Sequence, residues 1–149
     1  MRTTAADPLF VDTNVLVYAN VTTAALHQAA VDALQRQARA GGPLWISRQV
    51  LREYLRTLTR PQTFAAPPPV PILIARIRYF ESQFYVANDT AAVTEQLLAL
   101  LQHVPFGGKQ VHDANIVATM RVNDIGQLLT ANPGDFARFA RYVTVIPLV

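Results

Sequence analysis

Apolar residues follow two alternating patterns along the chain. Short apolar runs that end in polar residues are typical of buried strands, and longer segments with apolar residues three or four positions apart are typical of helices. The runs predict strands over residues 8–11, 44–46, 84–87, 127–130 and 142–146. The longer pattern predicts helices over residues 22–40, from Ser47 as N-cap to Thr59, and over 72–82, 91–102 and 110–121.

Strands that alternate with helices indicate a parallel sheet with helices on both faces. We therefore expect an α/β fold with three α/β/α layers around a parallel, mainly five-stranded sheet. Residues 60–71 include five prolines and are predicted to form an exposed loop. No internal repeat and no composition boundary divides the chain, so we expect one domain over residues 1–149.

The composition narrows the class of protein. Hydrophobic residues make up 51% of the chain, which permits a buried core and excludes a disordered chain. The absence of cysteine excludes disulfides and Cys-based zinc sites. The first residues lack the apolar core of a signal peptide, and no apolar run is long enough to cross a membrane. We expect a cytoplasmic protein without membrane contact.

The charge balance changes the range of possible partners. The net charge is +3, and of the 13 basic residues only Lys109 is not an arginine. Arginine binds phosphate through a planar fork of donors, so this balance favours nucleic acid. A GC-rich genome would also raise the arginine content, and charge alone does not separate the two explanations.

Two acidic residues lie in apolar surroundings. Asp12 directly follows the first predicted strand, and Asp113 lies on the same helical face as Ile116, Val117 and Met120. A carboxylate in such surroundings needs a partner or becomes protonated. A turn at Asp12 and a favourable helix dipole at Asp113 are the ordinary alternatives.

Two further acids have equally ordinary explanations when each is taken alone. Glu53 lies at the edge of an apolar helix face, where it could pair with Arg56 or Arg60. Asp135 follows the fourth strand, where it could begin a helix after a Pro-Gly turn. In a parallel sheet, however, binding sites form at the carboxyl ends of the strands, where all four acids could converge. Their oxygen ligands suit Mg²⁺ or Mn²⁺, which promote phosphodiester hydrolysis.

Three sequence segments resemble motifs of one known family. Val11-Asp-Thr-Asn-Val-Leu-Val-Tyr18 is similar to the opening of PIN-domain nucleases. Val111-His-Asp-Ala-Asn-Ile-Val-Ala118 resembles the third acidic motif of VapC-type toxins, and Thr130-Ala-Asn-Pro-Gly-Asp-Phe136 resembles their final motif. Glu53 lies in the second predicted helix, where the family carries a glutamate. The resemblance covers about residues 8 to 147.

The resemblance implies a PIN fold and a Mg²⁺- or Mn²⁺-dependent endoribonuclease that dimerises and is inhibited by a cognate antitoxin. It implies that Asp12 and Asp113 are the principal metal ligands and that Glu53 binds metal directly or through water. Many members carry an acid two residues after the threonine of the final motif. Here that position is Asn132, so either Asn132 or Asp135 would complete the catalytic and metal-binding set.

A row of arginines recurs every four residues on the helix that carries Glu53. Arg48, Arg52 and Arg56, with Arg60 beyond them, could contact an RNA backbone, receive acidic side chains of an antitoxin, or form a solvated helix face. His112 precedes Asp113 but points away from it on a helical wheel, so we expect a structural histidine.

Two other functions compete with this interpretation. A haloacid-dehalogenase phosphatase would need a second aspartate at position 14, which is Asn14, and Lys109 would be its only lysine. A non-catalytic PIN-like module that binds RNA or protein would not need all four acids.

Overall fold

A five-stranded parallel sheet forms the centre of the protein. The computed structural model describes residues 6–61 and 66–149. The sheet has the order β3-β2-β1-β4-β5, and every neighbouring pair is parallel. Its strands are Leu9–Val11 (β1), Leu44–Ser47 (β2), Tyr85–Ala87 (β3), Gln127–Thr130 (β4) and Thr144–Pro147 (β5).

Helices surround the sheet in an α/β three-layer arrangement. The α-helices are Thr13–Asn20 (α1), His27–Arg39 (α2), Arg48–Leu58 (α3), Val70–Gln83 (α4), Ala91–His103 (α5) and Gln110–Val122 (α6), and a 3₁₀ helix covers Pro133–Phe139. The predicted fold class and the five parallel strands are confirmed. None of the described helices combines the length and hydropathy that crossing a membrane requires.

The core lies around β1, the central strand. Its three residues are all buried, and Phe10 and Val11 have no exposed surface. Both neighbours of β1, β2 and β4, place buried apolar residues beside it. Burial of this apolar surface stabilises the sheet. Because β1 and β4 are parallel neighbours, the polar residues that follow them lie at the same edge of the sheet.

Helix α1 was not predicted. Val15, Leu16 and Val17 are all buried, so this helix has no alternation of apolar and polar faces over its first turns. Without that pattern, a short β-branched run does not indicate a helix. The segment is helical because Asp12 caps it and because it packs against α2 and α3.

Several predicted boundaries differ from the structure. The helix predicted from residue 22 begins at His27, since residues 22–26 form turns, and the last strand begins at Thr144. Helix α4 begins at Val70, inside the predicted loop 60–71, because a proline in the first helical turn removes no intrahelical hydrogen bond. The remainder of that loop includes residues 62–65, which lie outside the described residues.

Candidate active site

Asp12 lies where β1 ends and α1 begins. The register of β1 on β4 pairs Val11 with Leu129, which places Asp12 beside Thr130. The Thr130 hydroxyl donates a 2.7 Å hydrogen bond to Asp12 Oδ2, and Asn14 Nδ2 donates to the same oxygen at 3.1 Å. The Thr13 amide donates to Asp12 Oδ1 at 2.8 Å. The contacts expected of an aspartate that only caps a helix are therefore present. They also fix the orientation of the Asp12 carboxylate.

Burial dominates the electrostatics of Asp12. Its exposed fraction is only 8%, and desolvation raises the pKa of the carboxyl to about 6 against the opposing effect of its hydrogen bonds. The charge of Glu53 raises it further. The folded protein therefore holds a poorly solvated carboxylate close to a second acid.

Glu53 reaches this edge from the second turn of α3. The Thr13 hydroxyl donates to Glu53 Oε2 at 3.0 Å, and the Gln49 amide donates to Glu53 Oε1 at 3.0 Å. Helix α3 is positioned by Ser47, whose hydroxyl accepts from the Val50 amide as predicted. Thr13 therefore connects the first two acids of the site, through its amide to Asp12 and through its hydroxyl to Glu53.

Gln49 is a buried polar residue that sequence analysis missed. Besides Glu53, its amide group donates to the His112 carbonyl at 2.9 Å, and its oxygen accepts from Asn115 Nδ2 at 2.8 Å. It therefore joins α3 to α6 directly beneath two of the acids. Its spacing four residues before Glu53, on the same side of the helix, is the pattern that could have indicated it.

Asp113 lies in the first turn of α6 and is half-buried. Desolvation raises the pKa of its carboxyl to about 7, and the charges of Asp12, Asp135 and Glu53 raise it in the same direction. The Arg138 guanidinium opposes them by favouring the charged form. All three other candidate acids are therefore close enough to Asp113 to act on its ionisation.

The final motif approaches the same edge. Asn132 and Asp135 are both exposed, and Asp135 lies in the first turn of the 3₁₀ helix. The Asn132 amide donates to the Thr130 hydroxyl at 3.0 Å, so the hydroxyl that contacts Asp12 also holds the start of this segment. Both alternatives for the fourth position remain at the site.

One cavity of about 330 Å³ collects these side chains. Its lining residues are Asp12, Thr13, Asn14, Val17, Tyr18, Glu53, Arg56, Thr57, Asp113, Asn132 and Asp135. The four acids come from four separate segments of the chain: the end of β1, α3, α6 and the 3₁₀ helix. The structure therefore brings all four candidate acids and Asn132 to one concave surface.

The donor chemistry of this cavity fits a hard cation. Within residues 6–61 and 66–149, no three acidic or histidine side chains are placed closely enough to hold a metal ion, and Asp12 and Glu53 instead accept hydrogen bonds. The carboxylates nevertheless offer oxygen donors alone, which suits Mg²⁺ or Mn²⁺. Desolvation, and then the charges of Asp12, Asp135 and Glu53, raise the pKa of the Asp113 carboxyl, and a divalent cation would offset both effects.

The arginine row of α3 divides into two parts. Arg48 forms a 2.7 Å ion pair with Glu81, and Arg52 lies 4.0 Å from Asp89. Arg56 lines the acidic cavity. Of the three arginines predicted to contact RNA, only Arg56 adjoins the acids.

His112 does not lie in the protein interior. Its side chain is exposed and lines a neighbouring cavity, away from Asp113 as the helical wheel indicated. The structure gives it no packing role of the kind expected for a structural histidine. Only its backbone carbonyl, which accepts from Gln49, is part of the network under the acids.

Comparison with known proteins identifies the family of this fold. The family model described as PIN domain matches residues 9–142. The chain belongs to the PIN domain family. That match includes every segment that lines the acidic cavity, from β1 to the 3₁₀ helix. No curated protein sequence matches this PIN domain.

Several solved structures share the fold at low sequence identity. The Mycobacterium tuberculosis VapC20, a Sarcin-Ricin loop cleaving toxin, is 24% identical, with a TM-score of 0.64 over 93% of this chain and 98% of that one. A toxin–antitoxin complex from Klebsiella pneumoniae is 23% identical, with a TM-score of 0.62 over 95% and 98%. VapBC2 from Rickettsia felis, bound to a DNA fragment from its promoter, is 18% identical, with a TM-score of 0.64 over 94% and 98%.

Proposed function

We propose that this protein is a metal-dependent endoribonuclease. The observation that carries the proposal is the cavity of a PIN domain in which Asp12, Glu53, Asp113 and Asp135 meet at the carboxyl edge of a parallel sheet. Concentrated carboxylates in a concave site are the usual surroundings of Mg²⁺ or Mn²⁺ in phosphodiester hydrolysis. A structure named as a Sarcin-Ricin loop cleaving toxin has a similar fold, and the basic charge balance of this chain favours a nucleic acid, which we take to be RNA.

Each acid has a distinct part in this proposal. Asp12 and Asp113 are the principal metal ligands, because they are the more desolvated acids and gain most from a bound cation. Glu53 binds the metal directly or through water, and Asp135 or Asn132 completes the set. Thr130, Thr13 and Gln49 hold Asp12 and Glu53 by hydrogen bonds and so reduce the reorganisation that binding requires.

The bound ion would supply an activated water and neutralise charge on the phosphate. The chain's own residues bind and orient the substrate around it. Arg56 lies on the wall of the acidic cavity, where its guanidinium can donate to a phosphate oxygen. His112 lines a different cavity, so no proton transfer at the acidic site is assigned to it.

Cleavage assays with purified protein test this function. We expect hydrolysis of RNA, but not of DNA of the same sequence, in Mg²⁺ or Mn²⁺ and no hydrolysis in EDTA. The Asp12→Asn variant keeps the size of the side chain and should lose the activity. Cleavage that persists in EDTA or in Asp12→Asn would contradict the proposal and would indicate another site or a contaminating nuclease.

We further propose that the protein is the toxin of a VapBC-type pair that acts in the cytoplasm as one domain and forms a homodimer. The structural similarity to VapBC complexes supports an antitoxin partner. Growth arrest on expression, relieved by the neighbouring reading frame, would test the toxin role. Size-exclusion chromatography with light scattering tests the dimer, and a monomer at micromolar concentration would contradict it.

The phosphatase alternative is less consistent with the arrangement. Asn14 donates to Asp12 and accepts from the Ala131 amide at 3.1 Å, so it acts as a structural link between the start of α1 and the segment after β4. Lys109 lines the cavity of His112 rather than the cavity of Asp12. A lysine that steadied a phosphoryl group on Asp12 would need to lie beside that carboxylate.

A further inference from the structure

A second cavity adjoins the acidic one and is lined mainly by cations. It measures about 570 Å³ and is lined by Glu53, Arg56, Arg60, Lys109 and His112. We call it the basic cleft. Glu53 and Arg56 line both cavities, so the basic cleft and the acidic cavity share a wall. A ligand that occupies one can extend directly into the other.

The cations of the basic cleft form no ion pair with a described carboxylate, although Glu53 lies on its wall. Within the described residues, none of Arg56, Arg60 and Lys109 forms an ion pair. Residues 1–5 and 62–65 contain no acid that could supply one. Arg48 and Arg52, on the same helix, do face acids. The cations without an ion pair are therefore those next to the acidic cavity. They come from α3 (Arg56), the residues just after α3 (Arg60) and the segment before α6 (Lys109).

We propose that the basic cleft binds the sugar–phosphate backbone of one RNA strand, next to the phosphodiester held over the acidic cavity. This inference rests on the proposed ribonuclease function and adds the path of the substrate. Arg60 and Lys109 neutralise phosphates outside the reacting centre, and Arg56 lies at the junction. Among the described residues, no phenylalanine, tyrosine or tryptophan lines the cleft, and His112 is its one ring, so binding there depends mainly on phosphate charge.

An RNA strand fits this surface better than an acidic peptide does. The cleft is continuous with four carboxylates, which repel a peptide rich in aspartate or glutamate as it extends past Glu53. A phosphodiester chain is also polyanionic, but the cation proposed at the acids would attract the phosphate that reaches them. The shared wall therefore favours the polymer that the acidic site would cleave.

Two charge-matched double variants test the proposal. Arg60→Ala/Lys109→Ala removes two cations of the cleft, whereas Arg48→Ala/Arg52→Ala removes the same charge from the paired part of α3. Binding of a short fluorescein-labelled oligouridine is measured in an Asp12→Asn background, which prevents cleavage. All four side chains are exposed, so each double variant should fold. Melting curves check this.

We expect the cleft variant to bind this RNA at least about tenfold more weakly and to lower the slope of log affinity against log salt by about 1.4, the value for two lost phosphate contacts to a single strand. The control variant should stay within about twofold of the parent, because its arginines lie away from the cleft. kcat/KM for RNA cleavage, measured in the wild-type background, should fall in parallel in the cleft variant.

Three results would overturn the inference. Equal losses in both double variants would show a general effect of net charge. Unchanged RNA binding and kcat/KM in the cleft variant, with an active parent, would reject the cleft and leave the nuclease function standing. Displacement of RNA by oligoglutamate at equal charge concentration would assign the cleft to acidic peptides. If the wild-type protein does not cleave RNA and the Asp12→Asn protein does not bind it, the proposed function itself would be rejected.

Discussion

The Thr130 hydroxyl donates a 2.7 Å hydrogen bond to Asp12 Oδ2 across 118 residues of sequence. Thr130 has no exposed surface, and its hydroxyl also accepts from the Asn132 amide. One buried side chain at the end of β4 therefore orients the acid at the end of β1 and the start of the final motif. This contact exists because β1 and β4 are paired in parallel register.

Thr130→Val should weaken both the fold and the site. Valine keeps the shape of threonine but removes the donor to Asp12, so we expect a loss of about 1–3 kcal/mol in the free energy of unfolding and lower RNA cleavage. Thr119→Val is the matched control, because Thr119 is also buried and its hydroxyl donates to the Asn115 carbonyl instead. Denaturant unfolding measures the loss of stability, and cleavage rates measure the loss of activity. Equal activity in both variants would contradict a specific role for Thr130.

Gln49→Leu tests the network beneath Glu53. The substitution removes the hydrogen bonds of Gln49 to Glu53, His112 and Asn115, and we expect a higher metal concentration for half-maximal cleavage because Glu53 is no longer held. The control is Asn115→Ala, which removes one partner of Gln49 but leaves its bond to Glu53. If the metal concentration for half-maximal cleavage rises equally in both variants, Gln49 has a structural role only and does not position Glu53.

Asp113→Asn should lower cleavage more than Asp135→Asn does. Asp113 is half-buried among the other acids and would lose a direct ligand, which we expect to cost about two orders of magnitude or more in rate. Asp135 is exposed, and Asn132 offers an alternative donor in the same cavity. RNA cleavage rates under saturating metal measure the difference. A larger loss in Asp135→Asn would reverse the order of importance assigned to these two acids.

The stability of the metal-free protein should depend on pH between about 4 and 7. The pKa values of Asp12 and Asp113 are raised to about 6 and about 7, so the folded protein binds protons that the unfolded chain has already released. The free energy of unfolding therefore falls as pH rises through this window and levels off above it. Asp113→Asn should flatten the upper part of the window, whereas Asp32→Asn, on the surface of α2, should not. Melting temperatures in EDTA at a series of pH values give the comparison.

Divalent metal should raise the melting temperature at neutral pH. A cation among the carboxylates binds the folded state, and saturation to about 100 times the dissociation constant adds about 2.7 kcal/mol. The rise should be reduced in Asp12→Asn and Asp113→Asn. A melting temperature that does not change in millimolar Mg²⁺ and Mn²⁺ would contradict a site formed by the folded protein alone.

The sequence by itself determined the five strands, five of the six α-helices of the described residues, and the acids to be tested. A short continuous apolar run indicates a strand buried on both faces, as in β1, and apolar residues three or four apart indicate a helix with one buried face, as in α3. Such a pattern also marked Asp113 as an acid on an apolar face. Helix α1 was not predicted, because it is buried on several sides and its sequence therefore shows no alternation of apolar and polar faces.

Tertiary structure alone decided which side chains meet. Thr130 contacts Asp12, and Gln49 joins Glu53 to α6, through pairs that are 118 and 63 residues apart in sequence. The same packing divided the arginine row, because Glu81 and Asp89 lie opposite its first members and the acidic cavity lies beside Arg56. A periodic pattern describes how each element faces the core, whereas hydrogen bonds and ion pairs depend on the register and docking of elements distant in sequence.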